Sequence, residues 1–227
     1  MKEKNLKNET TDKYEKKLSL LWGAVLFLVL LVIDQITKVV ADVYFNMEGT
    51  PSYITLLPSG ILGLCISYNP GIAFGSLGNA QPIVKIGIIV GTAAMMIVLA
   101  VLWWKLDHRR TVLRVALVLI IAGGVGNLID RVYYRIWDSA SMLGVRDMVQ
   151  VDIGAFFREI LHWNVSESFL NFGICNFADF FIVGGAVVLV LALFFFDREA
   201  IFPVGKKYKA LAKEAEEKKA EKQAKNG

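Results

Sequence analysis

Histidine and cysteine are almost missing from this chain: 227 residues hold two of each. Zinc and most transition metals are held by clusters of those side chains, so a metal centre of that kind is excluded. Neither His108 nor His162 has a sequence neighbour with which to form a site. His-Glu-x-x-His and Gly-x-Ser-x-Gly are also absent, which removes the usual zinc-peptidase and serine-hydrolase signatures. Charge is missing in a pattern. Residues 41–81 contain no Lys or Arg, and residues 132–175 contain three, Arg135, Arg146 and Arg158. Four further stretches carry no charge at all: Leu18–Ile33, Ile86–Trp104, Val115–Ile129 and Phe180–Phe196.

Those four runs are what the chain has in abundance. Its mean hydropathy is +0.50, and a bilayer core about 30 Å thick is crossed by roughly 20 mostly apolar helical residues. The second run is long enough alone, whereas the other three need polar neighbours to reach full length. The spans are therefore expected at about 18–42, 82–105, 111–132 and 176–197, giving an all-α membrane protein. Six lysines precede the first span, four basic residues join the second and third, and nine follow the fourth. Basic loops stay cytoplasmic. This predicts both termini inside (1–17 and a charged tail, 198–227) and two outer loops, about 43–81 and 133–175. The net charge of +4 follows the membrane and does not point to nucleic acid. No small-x-small cleavage site follows the first run, so it reads as a retained span and not a cleaved signal.

Within the first outer loop, Ser52–Tyr68 is β-prone and broken by Pro58, Gly60 and Gly63, which predicts a small strand or hairpin forming part of a cap. Ala155–Trp163 is aromatic and amphipathic, suited to the interface. Lys206–Lys225 reads as a solvated charged helix, weak attraction to anionic lipid being the alternative. Cys65 and Cys175 both fall outside, where they either pair or pack as free thiols.

Ionisable groups inside spans are costly and are functional candidates by default. Asp34 and Lys38 end the first span, Asn127, Asp130 and Arg131 end the third, and Asn176 and Asp179 begin the fourth. Given the alternating direction of the spans, all lie at one depth, near the outer surface. Each has a plainer reading. Asp34 and Lys38, one turn apart, can neutralise each other; Asp130 and Arg131 suit interfacial anchors; Asn127 near Gly123 and Gly124 suits helix packing. Asp179 has Phe177, Phe180 and Phe181 beside it and no basic residue nearby in sequence, which makes a plain role hardest to assign. The outer loop adds Asp138, Asp147, Asp152 and Glu159. The chemistry left open is a carboxylate pair sharing one proton, one member acting as base on water and the other as acid.

At these residues the chain resembles the prolipoprotein (type II) signal peptidases. The motifs run in family order: Asp34-Gln35-Ile36-Thr37-Lys38, Tyr68-Asn69-Pro70-Gly71-Ile72-Ala73-Phe74, Gly123 through Arg131, and Asn176-Phe177-Ala178-Asp179. The last carries one of the family's catalytic aspartates. The other occurs in a Val-x-Asp context that Val145-Arg146-Asp147-Met148 fits better than Val151-Asp152-Ile153, with Asp152 the alternative. The segments on either side of Asp147 are longer than the family pattern. The resemblance implies an aspartyl endopeptidase of the bacterial inner membrane with catalytic Asp147 and Asp179. It also implies Asp34, Lys38, Asn69, Gly124, Asn127, Asp130, Arg131, Asn176 and Ala178 in support, no cofactor and no metal. Its implied partners are a diacylglyceryl-modified prolipoprotein cut before the lipidated cysteine, membrane lipid, and globomycin-type inhibitors. The rivals are an ion- or proton-coupled transporter, which would need polar residues at several depths, and a non-enzymatic membrane scaffold.

Overall fold

The computed structural model describes residues 2–57, 60–70, 81–108, 110–134, 144–168 and 170–195, with side chains from residue 14 onward. Pro58, the Gly71–Phe74 part of the second motif, Asp138, the end of the fourth span and the charged tail lie outside the described residues. Four helices cover the four apolar runs: α1 (Lys2–Phe45), α2 (Pro82–Lys105), α3 (Thr111–Tyr133) and α4 (Phe177–Phe195). Each is long and apolar enough to cross a membrane. Helix is the form that closes all backbone hydrogen bonds within one lipid-exposed segment. Pro82 stands in the first turn of α2, where its missing N–H is not needed.

The bundle is organised around α3, which packs on α1, α2 and α4. Its centre is small and buried (Ala116, Ala122, Gly123, Gly124, Gly126), so the other helices approach closely. On α1 the buried positions are Leu30, Asp34, Lys38 and Ala41, one stripe at helical spacing. Val29, Val32, Ile36, Val39, Val40 and Val43 face outward. Apolar residues outside and ionised ones inside reverse the soluble pattern, as lipid requires.

Between the helices lies an antiparallel sheet in the order β1 (Tyr53–Thr55), β2 (Leu62–Asn69), β3 (Val145–Asp152), β4 (Asn171–Cys175). The expected hairpin is β1–β2, with Ile54 opposite Leu64. Strands β3 and β4 enlarge it to four. The join of β3 to β2 pairs residues more than 70 apart, as in Asn69 with Val145, which local pattern does not carry. Ala41, Met148 and Val149 form a buried cluster with Phe45, Leu62, Leu64 and Phe177 around it, fastening the sheet to the ends of α1 and α4. The aromatic 155–163 segment contains one π-helical turn, Phe156–Ile160, with Phe156, Ile160, Leu161 and Trp163 exposed. Cys65 and Cys175 are both free. The Cys175 thiol donates to Val149 O (3.3 Å), and burial together with the carboxylates of Asp179 and Asp147 pushes it up to about 12, so it is not a nucleophile at neutral pH.

Candidate active site

Helix α4 begins with its own motif. Asn176 Oδ1 accepts the N–H of Asp179 (3.1 Å), and Asp179 Oδ2 accepts the N–H of Asn176 (3.0 Å). This reciprocal pair is a capping box with Asn at the N-cap and Asp in the third helical position. It explains why Asn176 and Asp179 must be three residues apart. A carboxylate there also meets the positive end of the helix. The free N–H of Ala178 is taken by Asp34 Oδ1 from α1 (3.0 Å), so Asp34 helps to satisfy a helix other than its own. Gly126 allows this approach, because a Cβ there would run into Asp34 Oδ2.

Lys38 lies at the centre and is wholly buried with Asp34. Its Nζ lies 2.9 Å from Asp34 Oδ2, 3.0 Å from Asn127 Oδ1 and 3.5 Å from Asp130 Oδ2. An ammonium has only donors, so the Asn127 oxygen faces it and the amide NH2 is turned away. That NH2 donates to Asp179 Oδ1 (2.8 Å). Lys38 thus sets the orientation of a donor to Asp179 without touching Asp179. The neutralising pair expected from sequence is real, and it carries this second consequence.

Asp147 comes from β3. Its Oδ1 accepts from Asn176 Nδ2 (2.6 Å) and its Oδ2 from Asn69 Nδ2 (3.3 Å). Asn69 is held close because Gly144 leaves no Cβ to strike its carbonyl. Asn176 therefore binds both carboxylates, Asp179 through its backbone N–H and Asp147 through its amide. The Asp147 side is 4% exposed. Burial, then the charge of Asp179, raise its carboxyl to about 7 against the lowering effect of Asn176, Asn69 and Lys38. Burial and the neighbouring charge both disfavour a second negative charge. Asp152 sits differently. It is closed in an ion pair with Arg158 (2.6 Å) and accepts from Ala155 N–H and Asn171 Nδ2, clasping the β3–β4 connection.

Three further residues named from the sequence stand around the carboxylates without bonding to them. Asp130 is not an interfacial anchor: it is fully buried and held by Arg146, from Nη2 at 2.6 Å and from the backbone N–H at 3.0 Å. Arg131 has a buried Nε with no protein partner among the described residues, and the charges of Asp179, Asp147 and Asp130 act on it. A Cβ at Gly124 would run into Met96 of α2, so this glycine lets α2 pack closely on α3. Sequence reasoning missed Arg146 and the group around Asp42: Tyr68 and Tyr134 both donate to Asp42. The recurrence Asp34, Lys38, Asp42 at intervals of four was the available signal. Among the described residues no group of His, Cys, Asp and Glu could hold a metal ion.

Residues 26–195 match the family model described as Signal peptidase (SPase) II. The chain is 33% identical over 180 residues to the lipoprotein signal peptidase of Ectopseudomonas mendocina, covering 77% of this chain and 89% of that protein. It is 32% identical over 174 residues to that of Streptococcus thermophilus, covering 74% and 90%. A solved bacterial membrane enzyme has the same fold, with a TM-score of 0.57 at 19% identity over 81% of this chain and 92% of that one. A bundle of this architecture, with its polar groups gathered from three helices and two strands, matched over most of its length, belongs to the signal peptidase II family.

Proposed function

We propose that this chain is an aspartyl endopeptidase that removes the signal peptide from diacylglyceryl-modified prolipoproteins, cutting before the lipidated cysteine. The observation that carries this reading is the convergence of Asp147 and Asp179 on Asn176, in settings that favour one shared proton. Asp147, with its raised affinity for a proton, is the acid, and Asp179 is the base. Asp179 takes a proton from water as the oxygen bonds to the scissile carbonyl carbon, and Asp147 protonates the carbonyl oxygen. Collapse of the tetrahedral intermediate breaks the C–N bond; the proton held by Asp179 goes to the departing cysteine nitrogen, and a hydroxyl proton of the intermediate returns to Asp147 as the carboxyl product forms. Asn69, Asn127 and Asn176 orient the carboxyls; Arg131 binds the substrate backbone. Asp34, Lys38, Asp130 and Ala178 hold the frame, and Gly124 supports it through α2. Asp152, already clasped by Arg158, is structural.

The basic termini and the poorly charged loops support a cell-membrane protein with both ends cytoplasmic and the site near the outer surface, where a lipid-anchored cysteine would present its peptide bond. No cofactor enters this chemistry. A globomycin-type cyclic peptide is expected to inhibit by occupying the site of Asp147 and Asp179. The test is conversion of a lipidated precursor in membranes. Asp147→Asn and Asp179→Asn should each lower the rate by roughly 10³-fold, within the range of acid–base catalysis, while Asp152→Asn retains turnover. Normal processing by Asp179→Asn would overturn the reading. Loss with Asp152→Asn but not Asp147→Asn would move the second carboxylate to Asp152.

A further inference from the structure

Four of the buried ions of the site are linked side by side, and one of them, Arg146, has no role assigned above. Asp34 and Asp130 supply two negative charges, Lys38 and Arg146 two positive ones, and all four are buried. Lys38 Nζ has three acceptors and three donors to give: Asp34, Asn127 and the more distant Asp130. Asp130 is met more closely by Arg146, with Nη2 at 2.6 Å, the backbone N–H at 3.0 Å and Nε at 3.4 Å. Arg146 is anchored on its far side as well. Its Nη1 lies 3.9 Å from Asp42, and its guanidinium stands 5.5 Å from the centre of the Tyr134 ring. Tyr134 in turn donates to Asp42 (3.1 Å).

From this geometry we infer that Arg146 is a positioning residue: by neutralising Asp130 it leaves Lys38 free to hold Asn127, and so Asp179, in working orientation. The physical reason is competition for one ammonium. A fully buried carboxylate that loses its main cation must find another, and Lys38 is already 3.5 Å away. Lys38 drawn toward Asp130 would leave the Asn127 oxygen. The Asn127 amide would then be free to turn that oxygen, an acceptor, toward the Asp179 carboxylate, where it repels. Arg146 also precedes Asp147 in β3, so the same anchor sets the start of the strand that carries the other carboxyl. Both halves of the pair are thus held through one guanidinium that touches neither carboxylate. This role rests on the aspartyl reading above.

The test uses the full chain in detergent or nanodiscs with a diacylglyceryl-modified precursor peptide, and reads kcat, KM and Tm. Arg146→Met should lower kcat about 10- to 100-fold, the scale expected when reacting groups are misplaced, with KM within about threefold of wild type on the same reasoning. Asp130→Asn should also be slow, because it leaves an excess buried positive charge. The double variant Arg146→Met/Asp130→Asn restores neutrality and should be faster than Arg146→Met by at least about fivefold, a coupling of opposite sign to additive damage. Arg146→Lys, which keeps the charge, should lie nearer wild type than Arg146→Met.

Wild-type kcat in Arg146→Met overturns the inference. So does a folded double variant no faster than Arg146→Met, since lost packing alone predicts that result. Should Arg146→Met give no folded protein, the double variant and Arg146→Lys decide: if both are as inactive as Asp179→Asn, the inference falls. Asp179→Asn serves as control throughout. Turnover by that variant would overturn the aspartyl reading itself, whereas a dead Asp179→Asn beside a normal Arg146→Met overturns only the role of Arg146.

Discussion

Asp147 is a carboxyl held at a cost. Its affinity for a proton is raised from the usual 3.8 to about 7, first by burial and then by Asp179. A group whose value is higher folded than unfolded contributes stability that is complete below the unfolded value and is lost as pH rises through the folded one. The window here runs from about pH 4 to about pH 7. Above it the fold bears an ionised carboxyl in a site that resists ionisation, a penalty on the order of 2–4 kcal/mol. Asp147→Asn removes the titration. Its Tm should exceed wild type by several degrees at pH 8, with the gap closing toward pH 4. An equal gap at both values would show that Asp147 does not titrate in this window. Turnover should fall in parallel as pH rises through about 7 and the shared proton is lost, which a pH–rate profile on the lipidated precursor would read.

At the scale of the element, the start of α4 combines folding and chemistry in four residues. Asn176 caps the helix with its side-chain oxygen and holds Asp147 with its side-chain nitrogen. Two substitutions separate these roles. Asn176→Ala loses both, so it should destabilise by about 1–2 kcal/mol, the usual worth of an N-cap, and slow processing by more than about tenfold. Asn176→Ser keeps a capping oxygen without an amide donor for Asp147, so its Tm should return toward wild type while its rate does not. Recovery of both together would mean that the amide contact with Asp147 is dispensable. The motif was visible as spacing, yet its reason, a reciprocal cap, appears only in the helix start. Strand β3 teaches the converse. The Val-x-Asp context of Asp147 was readable, but the strand's place between β2 and β4 depends on partners far away in sequence, such as Ser67 opposite Asp147.

For the whole molecule, orientation is the property with the most direct test. An alkaline phosphatase fused after Ser52 should be active, and one fused after Gly227 inactive, if the poorly charged loops face outward. The reverse pattern would invert the topology and put the site on the cytoplasmic side. The same frame limits alternative functions. Asp34, Lys38, Asn127, Asp130, Asp147, Asn176 and Asp179 form one connected cluster. Below it the helices pack through Leu30, Val118 and Ala122 with Leu26, Phe27 and Phe181, an apolar layer and not a polar path across the bilayer. That layer argues against the transporter reading, as does membership of a peptidase family.

The four spans were legible in the sequence because a lipid-facing segment must be apolar along its whole length, so composition alone marks it. The charges within those spans were legible for the same reason: each stands out where charge is expensive. Composition and spacing could not say which charge meets which. Asp34 was readable as a partner of Lys38 but not as a cap for Ala178. Asp130 was readable as an anchor at a span end, whereas it is sealed inside by Arg146. Asp147 and Asp152 were competitors in sequence, and only the fold gives Asp152 its Arg158 and turns Asp147 toward Asn176. Periodicity and hydropathy act along the chain, while ion pairing and desolvation act across it. Those contacts exist only once α1, α3, α4 and β3 have been brought together.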